Sequence, residues 1–121
     1  MQLLLSVRPG RDCTVLEVRG ELDMATSPQL REALQGLINA GDRQVVVDLA
    51  GVRFMDSSAL GALVVMFKAF SAGGGRLSLA AVQPAVHRVL TITSVDRVVD
   101  VYDSVRAAEA DVLSSDGATG R

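Results

Sequence analysis

Short apolar runs separated by turn residues recur along the chain and predict a series of strands. Residues 2–7 and 13–19 predict two strands joined by a tight Pro-Gly turn, an arrangement typical of an antiparallel hairpin. Residues 44–49 form a nearly continuous apolar run, which indicates a central strand covered on both faces. Two more strands are predicted at about residues 76–81 and 98–101.

Between these strands, apolar residues recur at helical spacing. Helices are predicted at about residues 27–40, 57–72, 84–90 and 105–113. The first begins with a hydroxyl cap, Thr26 or Ser27, and an early proline, Pro28. The second stops at three glycines centred on Gly74, where a left-handed C-cap conformation suits glycine. Asp103 and Ser104 precede the last helix as candidate caps.

The alternation of strands and helices predicts an α/β fold. We expect a mixed four- to five-stranded sheet with an N-terminal hairpin and about four helices, placed on both faces. Residues 1–113 make a single domain, and residues 114–121 are small and polar, which predicts a flexible C-terminal tail.

Composition narrows the classes of function. The net charge is −2 and aromatic residues are 3% of the chain, which argues against a nucleic-acid partner. Cys13 is the only cysteine and His87 the only histidine. An internal disulfide is therefore impossible, a metal site is not expected, and a cytoplasmic protein without a cofactor is predicted.

Hydropathy predicts that the chain does not insert into a membrane. The amino-terminal apolar run is too short for the core of a signal peptide. The richest apolar stretch, Ala62 to Phe67, ends at Lys68 and is too short to cross a bilayer.

The most informative segment runs from Val52 to Gly61, where a buried strand gives way to a helix. Ligands of open α/β sheets collect at such places. Asp56 and Ser57 suit a helix N-cap, since a side-chain oxygen there accepts a hydrogen bond from a free backbone N–H. A purely structural cap is one interpretation of this pair.

Helical geometry adds a second interpretation of the same helix. With 100° per residue, the buried side carries Ala59, Leu63, Met66 and Phe70. The exposed side carries Ser57, Gly61, Val64, Val65 and Lys68. A face that meets only water normally carries more charge, so these residues predict a surface covered by a partner protein. Ser58 lies on the flank, which makes Ser57 the first candidate for modification and Ser58 the second.

Three matches give the chain a family resemblance. They are the Gly20-Glu21-Leu22-Asp23 motif, the Val45–Leu49 run followed by Phe54-Met55-Asp56-Ser57-Ser58 and Leu60-Gly61, and Gly74-Gly75 with the later Pro84-Ala85-Val86. Over about residues 3–112 the chain resembles the STAS-domain anti-sigma factor antagonists of bacteria. The family most often has glycine where this chain has Ala59.

The resemblance implies a regulatory switch and no enzymatic activity. Ser57 would be phosphorylated by an anti-sigma factor that is itself a serine kinase and binds the ATP. The unmodified domain would bind that kinase and release a sigma factor, and a metal-dependent phosphatase would reset the phosphorylated form. Asp23 matches a position associated with kinase contact, and Asp56 matches the position that flanks the phosphorylated serine.

Other interpretations remain open. A STAS docking subunit of a membrane lipid-transport ATPase, or a stressosome scaffold, would keep the fold without a phosphorylation cycle. A response-regulator receiver would use Asp48, which is predicted to close its strand. The chain lacks the acidic pair and the late lysine that a receiver requires. His87 has no evident nucleophile at a fixed spacing, so an enzyme is not expected.

Overall fold

The computed structural model describes the backbone of residues 3–119 and the side chains of residues 3–112. The strands are Leu4–Pro9 (β1), Thr14–Leu22 (β2), Gln44–Met55 (β3), Arg76–Ala80 (β4) and Val101–Tyr102 (β5). The helices are Ser27–Asn39 (α1), Ser57–Ala72 (α2), Pro84–Ile92 (α3) and Val105–Thr119 (α4), with a 3-10 turn at Val95–Arg97.

The five strands form one mixed sheet in the order β1-β2-β3-β4-β5. β1 pairs with β2 in the antiparallel sense, and the remaining neighbours are parallel. Each parallel connection passes through a helix, as the crossover between parallel strands requires. The predicted α/β class, the N-terminal hairpin and the number of helices are confirmed among the described residues.

Both faces of the sheet are covered, but unequally. The larger cluster of buried side chains joins the sheet to α1, α2 and α3, and includes Leu34, Met66 and Leu90. A much smaller cluster joins the other face to α4. The buried side predicted for α2 faces the larger cluster, and the apolar side of α1 faces it as well.

β2 and β3 continue further than the apolar pattern predicted. They remain paired as far as Leu22 and Met55, through two register shifts in which β3 contributes an extra residue. Gly20 lies at the second shift with φ of +123°, a backbone conformation that favours glycine. The prediction that Asp48 closes its strand is therefore wrong. Its carboxylate instead accepts a hydrogen bond from the Ala50 amide at 3.0 Å, at the first shift.

The carboxyl-terminal elements also differ from their predicted bounds. β5 comprises only two residues, and the start of the predicted strand at 98–101 lies between β5 and a 3-10 turn. α4 continues to Thr119 in the backbone, so most of the predicted tail at 114–121 is helical. The last two residues of that tail lie outside the described residues. The boundary of the single domain at residue 113 stays a prediction. The Ser104 hydroxyl caps α4 by accepting from the Ala107 amide at 3.0 Å.

The predicted glycine stop after α2 is confirmed. Gly74 adopts φ of +79°, its amide donates to the Ser71 carbonyl, and the Gly75 amide donates to the Phe70 carbonyl at 2.7 Å. These two bonds satisfy carbonyls that the helix end leaves free. A Cβ at position 75 would lie 2.4 Å from the Arg43 carbonyl oxygen, so the chain turns tightly into β4.

Arg76 ties β4 to the last two elements. Its Nη2 donates to Asp100 at 2.6 Å, to the Tyr102 hydroxyl at 2.6 Å and to Asp111 at 2.9 Å. The Tyr102 hydroxyl donates to the same Asp111 carboxylate. Burial and this bond raise the pKa of Tyr102 to about 12, so the phenol remains a donor at neutral pH.

Candidate functional site

The site lies where β2 and β3 end at the same edge of the sheet. Because the two strands are parallel and Leu22 pairs with Met55, the loop after β2 meets the start of α2. The Asp56 amide donates to the Leu22 carbonyl at 3.0 Å, which fixes this junction. The pairing therefore places Asp23, the residue after β2, close to the start of α2.

The Asp56 carboxylate joins the helix to the loop. Its Oδ1 accepts from the amides of Ser58 at 2.9 Å and Ala59 at 3.1 Å, which satisfies two free donors of the first helical turn. Its Oδ2 accepts from the Met24 amide at 3.0 Å. The predicted N-cap is confirmed, and the same side chain also holds the β2–α1 loop.

Asp23 orders the β2–α1 loop from within the loop itself. Its Oδ1 accepts from the amides of Ala25 at 2.9 Å and Thr26 at 3.0 Å. The Thr26 hydroxyl donates to the Glu21 carbonyl at 2.7 Å and accepts from the Asp23 amide at 3.0 Å. The prediction that this hydroxyl caps α1 is wrong, because it is buried and bonded backwards into the loop. Contact of Asp23 or Asp56 with a partner stays a prediction.

Both candidate serines lie in the first turn of α2, and both are exposed. Within residues 3–112, the structure gives the Ser57 hydroxyl no hydrogen-bond partner. Ser57 can therefore enter the active site of another protein without losing an internal bond. Exposure alone does not separate it from Ser58.

The exposed side of α2 carries the residues that the spacing predicted, hereafter the α2 face (Ser57, Gly61, Val64, Val65 and Lys68). Val65 keeps 52% of its surface exposed, and Val64 is half-buried. A Cβ added at Gly61 would meet no atom within 4 Å. A glycine in the middle of a helix costs about 0.5–1 kcal/mol relative to alanine, and here the fold does not require it.

Two exposed apolar residues at this edge were not predicted as part of the site. Met24 keeps 75% of its surface exposed and Phe54 keeps 48%. Met24 lies in the loop after β2, and Phe54 lies near the end of β3, beyond the predicted strand at residues 44–49. The sequence signal that could have added Met24 to the candidate site is an apolar residue directly after Asp23, in a loop where a polar residue is usual.

A separate groove of about 600 Å³ lies on the sheet between the carboxyl halves of β2 and β3. Its walls combine Arg19 and Arg53 with Glu17, Glu21 and Asp48. Because both signs of charge line it, the groove favours no single charge class of ligand.

Groups suited to chemistry are sparse in the described part of the chain. No cluster of three His, Cys, Asp or Glu side chains that could hold a metal ion occurs there. No helix within residues 3–119 is long and apolar enough to cross a bilayer. His87 is exposed, and Cys13 is half-buried directly before β2, where burial raises the pKa of its thiol.

Comparisons with known proteins agree on one family. The STAS domain model matches residues 5–108. An anti-sigma F factor antagonist of Paenibacillus polymyxa is 30% identical over 105 residues, covering 86% of this chain and 90% of that protein. An anti-sigma-B factor antagonist of Staphylococcus epidermidis is 35% identical over 103 residues, covering 85% and 95%. The crystal structure of an anti-sigma factor antagonist from Mycobacterium paratuberculosis superposes with a TM-score of 0.84 at 26% identity, covering 92% and 94%.

Proposed function

Because the chain belongs to the STAS domain family, we propose that it is an anti-sigma factor antagonist. It binds an anti-sigma factor in the cytoplasm and thereby releases a sigma factor, and it performs no catalysis itself. The family assignment removes the response-regulator receiver as an interpretation. Transcription is thus controlled through an exchange of protein partners.

The α2 face is the observation that carries this proposal. Its exposed residues are small or apolar apart from Lys68, and Gly61 leaves open space above the helix. A partner can approach the helix backbone closely at a glycine, and apolar contacts there become buried on binding. Gly61 has no packing role within the domain and leaves room for such an approach.

Phosphorylation of Ser57 is the proposed switch. The partner is an anti-sigma factor serine kinase that binds ATP in its own site. The Ser57 oxygen bonds to the γ-phosphorus of that ATP, ADP leaves, and the hydroxyl proton passes to the kinase. The product carries roughly −1.5 to −2 added charge, and it loses the partner through like charge and desolvation. A metal-dependent phosphatase restores the hydroxyl.

The fold tolerates the phosphate while the surface changes. The positive end of the α2 dipole favours an anion at its first turn. The amides of Ser58 and Ala59 are already bonded to Asp56, so the phosphate adds a second anion beside an existing one. Phosphorylation therefore changes the affinity for partners that contact this surface more than it changes the stability of the fold.

Intact-mass measurement and peptide mapping of protein isolated from its native cells test the switch. We expect a phosphate on Ser57 in a fraction of the molecules. A phosphate on Ser58 would keep the function and move the switch by one residue. Absence of phosphate under growth and stress conditions would favour the unmodified docking subunit of a lipid-transport ATPase or the stressosome scaffold.

A further inference from the structure

We propose that Met24 is an apolar anchor, meaning a side chain that inserts into a pocket of the anti-sigma factor. We propose further that Asp56 is the positioning residue that holds Met24 beside Ser57. The inference rests on the proposed function and adds a contact outside the α2 face. It also gives Asp56 a role different from direct contact with the partner.

The Asp56 carboxylate bonds both the Met24 amide in the loop and the Ser58 amide next to Ser57. Asp56 Oδ2 lies 3.0 Å from the Met24 amide, and Oδ1 lies 2.9 Å from the amide of Ser58, the residue after Ser57. A partner that covers Ser57 therefore also meets the loop that bears Met24. The Asp56 side chain thus links the two directly, in addition to the bond between the Asp56 amide and the Leu22 carbonyl.

The loop around Met24 is held before any partner arrives. Asp23 and Thr26 bond its amides on one side, and Asp56 bonds the Met24 amide on the other. Yet Met24 keeps 75% of its surface exposed. Because the backbone is already ordered, the partner loses little binding free energy to loop ordering. A thioether chain also adapts its shape to an apolar pocket.

Two further apolar residues of the same elements are exposed. Phe54 lies two residues before Asp56 and keeps 48% of its surface exposed, and Val65 on the α2 face keeps 52%. Exposed apolar side chains thus occur on the loop, at the end of β3 and on the α2 face. Binding hot spots form in such places, where a central apolar contact is surrounded by groups that exclude water.

The first test measures binding to purified anti-sigma factor serine kinases encoded in the source genome. The kinase that binds the unmodified full chain is then titrated with variants. We expect Met24→Ala to raise Kd about 10-fold or more, and Met24→Leu to restore most of the affinity. Ile92→Ala is the matched control, because Ile92 is also 75% exposed but lies at the end of α3. Its Kd is expected to match that of the unchanged chain.

The second test separates positioning from contact. Asparagine is a good N-cap but has only one oxygen, so Asp56→Asn keeps α2 capped and loses the bond to the Met24 amide. We expect faster hydrogen exchange at the Met24 amide, an unchanged melting temperature within about 3 °C, and a Kd raised about 5-fold. In the Met24→Ala background the same substitution is expected to leave Kd unchanged, because the anchor is already gone.

The outcomes distinguish the two proposals. If the unmodified chain binds none of the kinases, the proposed function fails and the anchor fails with it. If the chain binds but Met24→Ala has the affinity of the unchanged chain, only the anchor is wrong. Fully additive losses in the double variant would contradict positioning by Asp56.

Discussion

α1 and α2 pack side by side on the same face of the sheet, yet their outer surfaces differ. The outer surface of α1 carries Arg31, Glu32 and Gln35, and the Gln35 amide donates to Asn39 at 3.1 Å. The outer surface of α2 carries serine, glycine and valine, with a single lysine at position 68. α1 is an ordinary amphipathic helix in contact with water. α2 has the composition of a helix that meets another protein.

The two helices also begin differently. α2 is capped by the Asp56 carboxylate, whereas the Thr26 side chain at the start of α1 makes no cap bond. Both helices contain a glycine, Gly36 and Gly61, at which an added Cβ would meet nothing within 4 Å. The molecule therefore provides its own internal control, since equal substitutions in α1 and α2 separate effects on folding from effects on binding.

The largest expected difference comes from a long side chain at each glycine. Gly61→Arg places a charged chain where the partner approaches, so we expect loss of about 3 kcal/mol of binding free energy, roughly a 100-fold rise in Kd. Gly36→Arg is expected to leave Kd unchanged. Calorimetric titration with the anti-sigma factor measures both. Equal losses for the two variants would mean that α1 belongs to the interface.

A charge at Ser57 is expected to have the next largest effect. Ser57→Asp adds an anion beside Asp56, and we expect binding to weaken by about 1–3 kcal/mol. Ser57→Ala is expected to bind like the unmodified chain and to resist phosphorylation by the kinase. Both variants are expected to retain the circular dichroism spectrum of the unchanged chain. The same affinity for both would count against Ser57 as the switch.

The difference between the two helix starts predicts an effect on stability. Asp56→Ala removes the cap of α2 and the bond to the loop, so we expect the free energy of unfolding to fall by about 1–2 kcal/mol. Asp56→Asn is expected to cost less, since it keeps the cap. Urea unfolding measures both values. A loss below about 0.3 kcal/mol for the alanine variant would argue that water replaces the carboxylate at little cost.

The smallest expected effect is a gain in stability. Gly36→Ala and Gly61→Ala each place a methyl group in open space and restrict the unfolded chain, so each is expected to stabilise the fold by about 0.5–1 kcal/mol. The two gains are expected to be similar. Destabilisation by Gly61→Ala alone would mean that the helix backbone needs glycine there, and the functional argument for that glycine would lose its basis.

Local patterns were sufficient to predict much of this fold. Continuous apolar runs located the central strands, and the 3.6-residue spacing located α2 together with its inner and outer faces. The resemblance of the Phe54–Gly61 segment to the family indicated the start of α2 as the candidate site, and that stays a prediction. These features depend on neighbours in sequence, which pattern analysis detects.

Features that depend on pairing over long distances were not predicted. β3 extends to Met55 only because the parallel β2 continues beside it through two register shifts. The Thr26 hydroxyl bonds backwards to Glu21 only because that carbonyl turns towards it at the end of β2. The link between Asp56 and Met24 joins residues 32 positions apart, which no local pattern contains.

The unequal covering of the two sheet faces has a consequence for the order of folding. α4 contributes to a small buried cluster with Val15, Val46 and Ala80, whereas the other helices share the large one. During synthesis, α4 leaves the ribosome after all the members of the large cluster. We therefore expect the remainder of the domain to fold first and α4 to pack onto the sheet afterwards. Native-state hydrogen exchange would then detect opening of α4 at a lower free energy than global unfolding, while α2 stays protected.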